Sequence, residues 1–222
     1  MQVTDNMLLD MLSYQSQLND VMKPDWRVTR MHYLRASSVE VGECHDHNAY
    51  KWWKKQEVNL PQIQLELIDM THFIISEIAR AVNEPSKEGQ ALLDAWHKPE
   101  PVIRFDEKDY VVAELETEVC LDLMGAMGYV GRFSFSLLRR LMDDFKLTGE
   151  TWYNTYISKS VLNLFRQHNG YKTGEYIKVW SGREDNEFLA EEMETWTPDQ
   201  GADELYRRMD VLYKEFALGV QA

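Results

Sequence analysis

Residues 61–82, "PQIQLELIDMTHFIISEIARAV", constrain this chain more than any other stretch. Pro61 suits the first turn of a helix. Ile63, Leu65, Leu67, Ile68, Met70, Phe73, Ile74 and Ile75 then leave almost no polar face. A helix apolar nearly all round has to be enclosed by other elements. Glu66 and Asp69 sit inside this run, three residues apart and so on one face, about 5 Å apart along the axis. Left unpaired there, carboxylates cost on the order of several kcal/mol or take up protons. Divalent cations are the natural remedy, and a second acidic pair of the same spacing, Glu40 and Glu43, lies upstream.

Helical periodicity runs through most of the remaining chain. Met7, Leu8, Met11, Leu12, Leu18 and Met22 mark a first helix over about 4–22. Pro24 breaks it, and Asp25 is expected to cap a second helix from Trp26 to about His47. Residues 84–110, rich in Pro, Gly and charge, read as a long loop or insertion. Helical pattern resumes near Val111 and runs to Met127. "RFSFSLLRRLMDDFKL" and "WYNTYISKSVLNLFRQH" follow as helices, the latter stopping at Asn169-Gly170. Asp199 is expected to cap the last helix. No internal repeat and no convincing set of strands is visible. The fold class is all-α, expected as one domain over 1–222.

The 222 residues, 44% of them hydrophobic, suffice for one sizeable core. No run of eighteen apolar residues offers a membrane span, and the opening "MQVTDNMLLDMLSYQ" does not read as a signal peptide. Cys44 and Cys120 make no disulfide framework, so a reduced cytoplasmic setting is expected. A net charge of −13 argues against general nucleic-acid binding.

Two antiparallel helices joined by the turn from Asn48 to Leu60 would bring both acidic pairs face to face. Four carboxylates without His or Cys suit a hard, oxygen-loving ion such as Mg²⁺, and bridging carboxylates can hold several ions. The alternative is that Glu40 and Glu43 are surface acids. His45 and His47, at i, i+2, do not share a helix face, which disfavours zinc. A local charge reversal follows over 151–183, with Lys159, Arg166, Lys172, Lys178 and Arg183 against one acid, Glu175. Lys159, Asn163 and Arg166 share one helix face. This strip reads either as a grip for a phosphorylated ligand or as an ordinary basic patch. Gln15 and Asn19, at i, i+4, can present amides to a base edge or be plain solvated amides. The pair Trp52-Trp53 among lysines is unusual for an exposed surface.

Four segments in order carry a resemblance: "QSQLN" from Gln15, "EVGECHDHNAYKWWKK" from Glu40, "ELIDMTHFIIS" from Glu66, and "KSVLNLFRQHNGYKTGEYIKVWSGREDN" from Lys159. Together the chain resembles the dimeric, all-α dUTP pyrophosphatases of kinetoplastids, some bacteria and many phages. These are relatives of the MazG-type nucleoside triphosphate pyrophosphohydrolases. Residues 84–110 match no motif, and Tyr50 stands where the family often has a tryptophan.

The resemblance implies a helical bundle of that type, working as a homodimer. It implies Glu40, Glu43, Glu66 and Asp69 as ligands of two or more Mg²⁺ ions. Water held by the ions and by Glu40 or Glu43 would attack between the α and β phosphates, turning dUTP into dUMP and pyrophosphate. dUDP is implied as a second substrate, giving phosphate. Gln15, Asn19, Trp52, His72, Phe73 and Asn163 would line the nucleoside pocket. Lys159, Arg166, Tyr171, Lys172, Lys178 and Asn186 would face the phosphates, joined by Lys51 and Lys54. No nucleic acid or membrane partner is expected; the setting is cytoplasmic, that of the host if the gene is phage-borne. Two alternatives stay open: a dCTP or broader dNTP pyrophosphohydrolase, and a catalytically weak relative that senses nucleotides or engages a regulator.

Overall fold

The structure, a computed structural model, describes residues 2–219. Its helices are α1 (Asp5–Met22), α2 (Tyr33–His47), α3 (Leu60–Val82), α4 (Pro85–His97), α5 (Thr117–Tyr129), α6 (Phe135–Asp144), α7 (Gly149–His168), α8 (Asp185–Met193) and α9 (Ala202–Leu212). Two small antiparallel hairpins interrupt them, β1 (Val102–Phe105) with β2 (Lys108–Val111), and β3 (Val179–Trp180) with β4 (Arg183–Glu184). The class is all-α.

The apolar run becomes α3, the centre of the bundle. It touches α1, α2, α4, α6 and α7, and Ile63, Leu67, Ile68, Met70, Ile74 and Ile75 are fully enclosed. Asn59 caps its start by accepting the Gln62 N–H, with Pro61 in the first turn. Asn83, in the left-handed region at φ 50°, ends it. The neighbour α2 runs along α3 and carries Glu40 and Glu43 onto the face that holds Glu66.

The opposite side of α2 is set by a close approach to α5. Gly128 there leaves no room for a side chain: a Cβ would lie 2.6 Å from the Leu34 carbonyl oxygen and collide with the Ser38 hydroxyl. Gly128→Ala is therefore expected to destabilise the fold by about 1–3 kcal/mol through overpacking, read as a lower midpoint of urea unfolding. An unchanged midpoint would mean that α2 is free to shift.

Several sequence expectations are corrected. The second helix begins at Tyr33, not Trp26. The Asp25 carboxylate accepts from the Thr29 hydroxyl at 2.9 Å and pairs with Lys23, closing a turn. Trp26 is buried, with its indole N–H donating to Asp20 at 2.7 Å. Residues 84–110 are not a loop: they form α4 and the first hairpin. Its turn at Asp106-Glu107 has φ of 46° and 60°, the left-handed pair that two-residue hairpins prefer. Helix α4 escaped notice because it buries only Glu88, Leu92 and Trp96. Trp96 stacks on Trp152 of α7, ring centres 5.3 Å apart. Helix α8, also unexpected, opens on a capping box between Glu184 and Glu187. Asp199 lies in a short 3₁₀ turn, and α9 starts after Gly201, whose φ of 85° suits glycine. Among the described residues, no helix is long and apolar enough to cross a membrane.

Candidate active site

Helices α2 and α3 bring Glu40, Glu43 and Glu66 together, with one carboxylate oxygen of each within 4.8 Å of the others. Glu66 is 7% exposed; Glu40 is half-buried and Glu43 exposed. Burial, reinforced by the neighbouring Asp69 carboxylate, pushes Glu66 up to about 8 and Glu40 up to about 7, against the offsetting pull of Lys159. His47 Nε2 stands 3.7 Å from the Glu66 carboxylate. Cys44 is buried behind them, its thiol turned to the Ile63 carbonyl at 3.8 Å and raised by burial, so it remains a neutral thiol. The donor set facing outward is carboxylate oxygen. That chemistry fits a hard divalent cation.

Asp69 stands outside this trio. Its carboxylate is held by the Lys159 ammonium of α7. Asp69 also lines a pocket of about 210 Å³ next to the cluster, together with Gln15, Asn19, Tyr33, His72, Phe73, Asn163, Arg166 and Tyr171. Acids and pocket thus adjoin through one residue, with Lys159 at the junction.

The expected nucleoside residues divide. Gln15, Asn19, His72, Phe73 and Asn163 share that pocket, which helices α1, α3 and α7 build. Gln15 and Asn19 are 4% and 3% exposed, and much of their amide capacity is spent internally. Gln15 Nε2 donates to Asn19 Oδ1 at 3.0 Å, and Asn19 Nδ2 donates to Ser76 Oγ at 3.0 Å. Gln15 Oε1 faces His72 Nδ1 at 2.7 Å and accepts from the Tyr156 hydroxyl at 2.9 Å. Tyr156 stacks under the His72 ring at 3.9 Å. Trp52 is not in the pocket. It is 90% exposed on the loop between α2 and α3, edge-on to Trp53. That loop is closed by Lys51, which pairs with Asp46, and by Gln56, whose side chain also reaches Asp46.

Most of the expected phosphate cations are engaged within the chain. Arg166 forms a two-pronged pair with the fully buried Asp185, both bonds 2.7 Å. It also donates to Asn163 Oδ1 at 3.0 Å and Asn186 Oδ1 at 3.2 Å. Lys172 donates to the Met22 carbonyl at 2.8 Å, and Lys178 pairs with Glu184 at 3.0 Å. Lys54 is exposed. Tyr171, half exposed, edges the pocket beneath the Arg166 guanidinium. Ser76, Tyr156, Tyr176 and Asp185 were missed in the sequence. Ser76 and Tyr156 look like ordinary helix residues until α1, α3 and α7 are packed together.

A carboxylate cluster beside a largely apolar pocket that carries a few polar and charged groups, in an all-α bundle, fits a metal-assisted hydrolase of a charged small molecule. A family model described as dUTPase matches residues 7–171, and the chain belongs to that family. No curated protein matches it. The activity is that of a dUTP diphosphatase, a hydrolase of nucleotide metabolism acting on a nucleotide. Enzymes of this kind generally depend on a divalent metal. The matched span ends at Tyr171, so Lys172, Lys178, Asp185 and Asn186 lie beyond it.

Proposed function

We propose that the protein hydrolyses dUTP to dUMP and pyrophosphate, and dUDP to dUMP and phosphate, with Mg²⁺ as its ion. The observation that carries this reading is the convergence of Glu40, Glu43 and Glu66 beside the pocket that Asp69 shares. These four residues would hold Mg²⁺, two or more ions per site; Asp69 would join by releasing Lys159. Bound there, Mg²⁺ would neutralise oligophosphate charge and make water easier to deprotonate.

The chain's own groups do the rest. Glu40 and Glu43 orient the attacking water, which adds to one of the two phosphorus centres of the α–β bridge. The bond from that phosphorus to the bridging oxygen breaks, separating dUMP from pyrophosphate, or from phosphate when the substrate is dUDP. Either carboxylate can take the water's proton, since both flank the face where the water would be held. Lys159 is the cation at the junction: its charge acts on Glu40, Glu66 and His72 alike, which suits it to the phosphates between metal and base. Lys51, Lys54, Arg166, Tyr171, Lys172, Lys178 and Asn186 form the outer phosphate side. Gln15, Asn19, His72, Phe73 and Asn163 form the base and sugar pocket. Trp52 and Trp53 present an apolar surface suited to substrate or to a second copy in a cytoplasmic homodimer.

Pyrophosphate release from each dNTP, with Mg²⁺ or with a chelator, tests this. dUTP is expected to be preferred by at least ~10-fold, about 1.4 kcal/mol, and the chelator is expected to stop turnover. Equal rates on all dNTPs, or turnover that ignores the chelator, would rule it out.

A further inference from the structure

A cavity of about 290 Å³ lies at the start of α2, walled by Arg30, His32, Tyr33, Arg35, Glu77 and Arg80, and by residues 128–131 where α5 ends. Its charge runs against that of the whole chain. The protein carries 37 acidic side chains against 24 Lys and Arg, yet in this cavity three arginines meet one carboxylate. Glu77 matches Arg80 through two bonds of 3.0 and 2.5 Å. Arg30 and Arg35, both exposed, make no ion pair and no side-chain hydrogen bond among the described residues. Other arginines of this acidic chain do find carboxylates: Arg27, Arg104, Arg140, Arg183, Arg207 and Arg208 are all paired. Two unmatched positive charges are therefore held at one small concave site.

The backbone around the cavity adds donors and withholds acceptors. Helix α2 starts without a side-chain cap, and its first main-chain bond runs from the Ala36 N–H to the His32 carbonyl at 3.0 Å. The N–H groups of Tyr33, Leu34 and Arg35 precede that bond and are left as donors. Across the α5 terminus the carbonyls are spent on the chain's own amides. Met127 accepts from Val130 at 3.1 Å and from Arg132 at 2.8 Å, and Gly128 accepts from Gly131 at 3.1 Å. Guanidinium forks and backbone N–H groups, all donors, recognise an oxyanion. Two unmatched guanidiniums suit a group with two negative charges better than a single carboxylate, and the volume is at the small end of ligand sites.

We propose that this cavity is a second anion site, separate from the carboxylate cluster, which takes a phosphate or pyrophosphate group, free or as the tail of a nucleotide. Tyr33 alone lines both this cavity and the pocket beside the acids, so the two adjoin without merging. Tyr33 also opens α2, about two turns before Glu40. A bound anion thus sits at the start of the helix that carries two of the acids.

The test uses the full chain freed of metal by dialysis, in which the carboxylate cluster repels anions. Sodium phosphate, sodium pyrophosphate and dATP are titrated separately, at constant ionic strength set with chloride. The Nε–H signals of Arg30 and Arg35 are followed by NMR, assigned by their loss in Arg30→Gln and Arg35→Gln. At least one probe is expected to shift both signals saturably. The double variant is expected to bind that probe at least ~10-fold more weakly by calorimetry, while its dUTP turnover with Mg²⁺ and no added anion stays that of wild type. Lys159→Gln is expected to bind the probe as wild type does. Preference for phosphate or pyrophosphate assigns the free anion; preference for dATP assigns a nucleotide tail. Absence of a saturable shift up to about 10 mM overturns the inference, as does a shift that chloride alone reproduces. Binding lost in Lys159→Gln but kept in the double variant places the anion in the catalytic site and overturns it too. Should the double variant not fold, the wild-type shifts and Lys159→Gln still decide.

Discussion

Glu66→Gln is expected to lower dUTP turnover by roughly 10³-fold or more, about 4 kcal/mol of barrier, while making the metal-free protein more stable. The loss follows because Glu66 is the most buried of the three converging carboxylates, and an amide offers a weaker, neutral oxygen to a cation. The stability gain follows from linkage. In the folded, metal-free chain Glu66 titrates at about 8, against 4.5 ordinarily. Below pH 4.5 both folded and unfolded states are protonated and nothing is lost. As pH rises from 4.5 through 8, the unfolded chain releases its proton first, so folding stability falls at up to about 1.4 kcal/mol per pH unit. Glu40, titrating at about 7, pulls in the same direction. The melting temperature of the metal-free wild type is thus expected to fall between pH 5 and 8, to recover on adding Mg²⁺, and to fall less in Glu66→Gln. Wild-type turnover in the variant, or identical melting of the two proteins at pH 8, would contradict the placement of Glu66 in the metal cluster.

Asp185→Ala is expected to cost about 3–5 kcal/mol of folding free energy. Asp185 is fully buried and takes both prongs of the Arg166 guanidinium. Its removal strands that cation and leaves the Tyr176 hydroxyl, also bonded to Asp185, without its acceptor. Breaking a buried pair from one side costs far more than the pair's net contribution, because the surviving charge is uncompensated. For a chain of this length a drop of roughly 10 °C or more in melting temperature should follow. Arg166→Met together with Asp185→Leu, which removes both charges, should recover much of that loss without restoring a fixed Asn163. A small loss in Asp185→Ala would show that water reaches Arg166, and that the guanidinium is freer than its contacts imply.

How legible this protein was depended on the residue. The pair Glu66 and Asp69 stood out because a carboxylate on an apolar helix is costly wherever the helix packs, whereas Glu40 and Glu43, on a helix with a solvated face, read equally well as surface acids. The long apolar run announced α3 for the same reason. Helix α4 could not be read so, since its hold on the fold comes from Leu92 and Trp96, and Trp96 finds its stacking partner Trp152 far along the chain. Arg166 illustrates a deeper limit. Its spacing from Lys159 put it on a cationic face, yet in the fold its charge is matched by Asp185, nineteen residues on.

By itself, then, the sequence determined what was local or one-dimensional. It specified the long periodic helices (though not α4 or α8), which helix is central, and which acids cannot be left bare, because periodicity and desolvation act within a few turns. Only the tertiary structure decided which acids meet: Glu40, Glu43 and Glu66 converge while Asp69 is held by Lys159. It alone decided how the amides of Gln15 and Asn19 are spent. Asn19 donates to Ser76, Gln15 donates to Asn19 and faces His72, and residues so far apart in sequence share one network only once α1 and α3 are packed together.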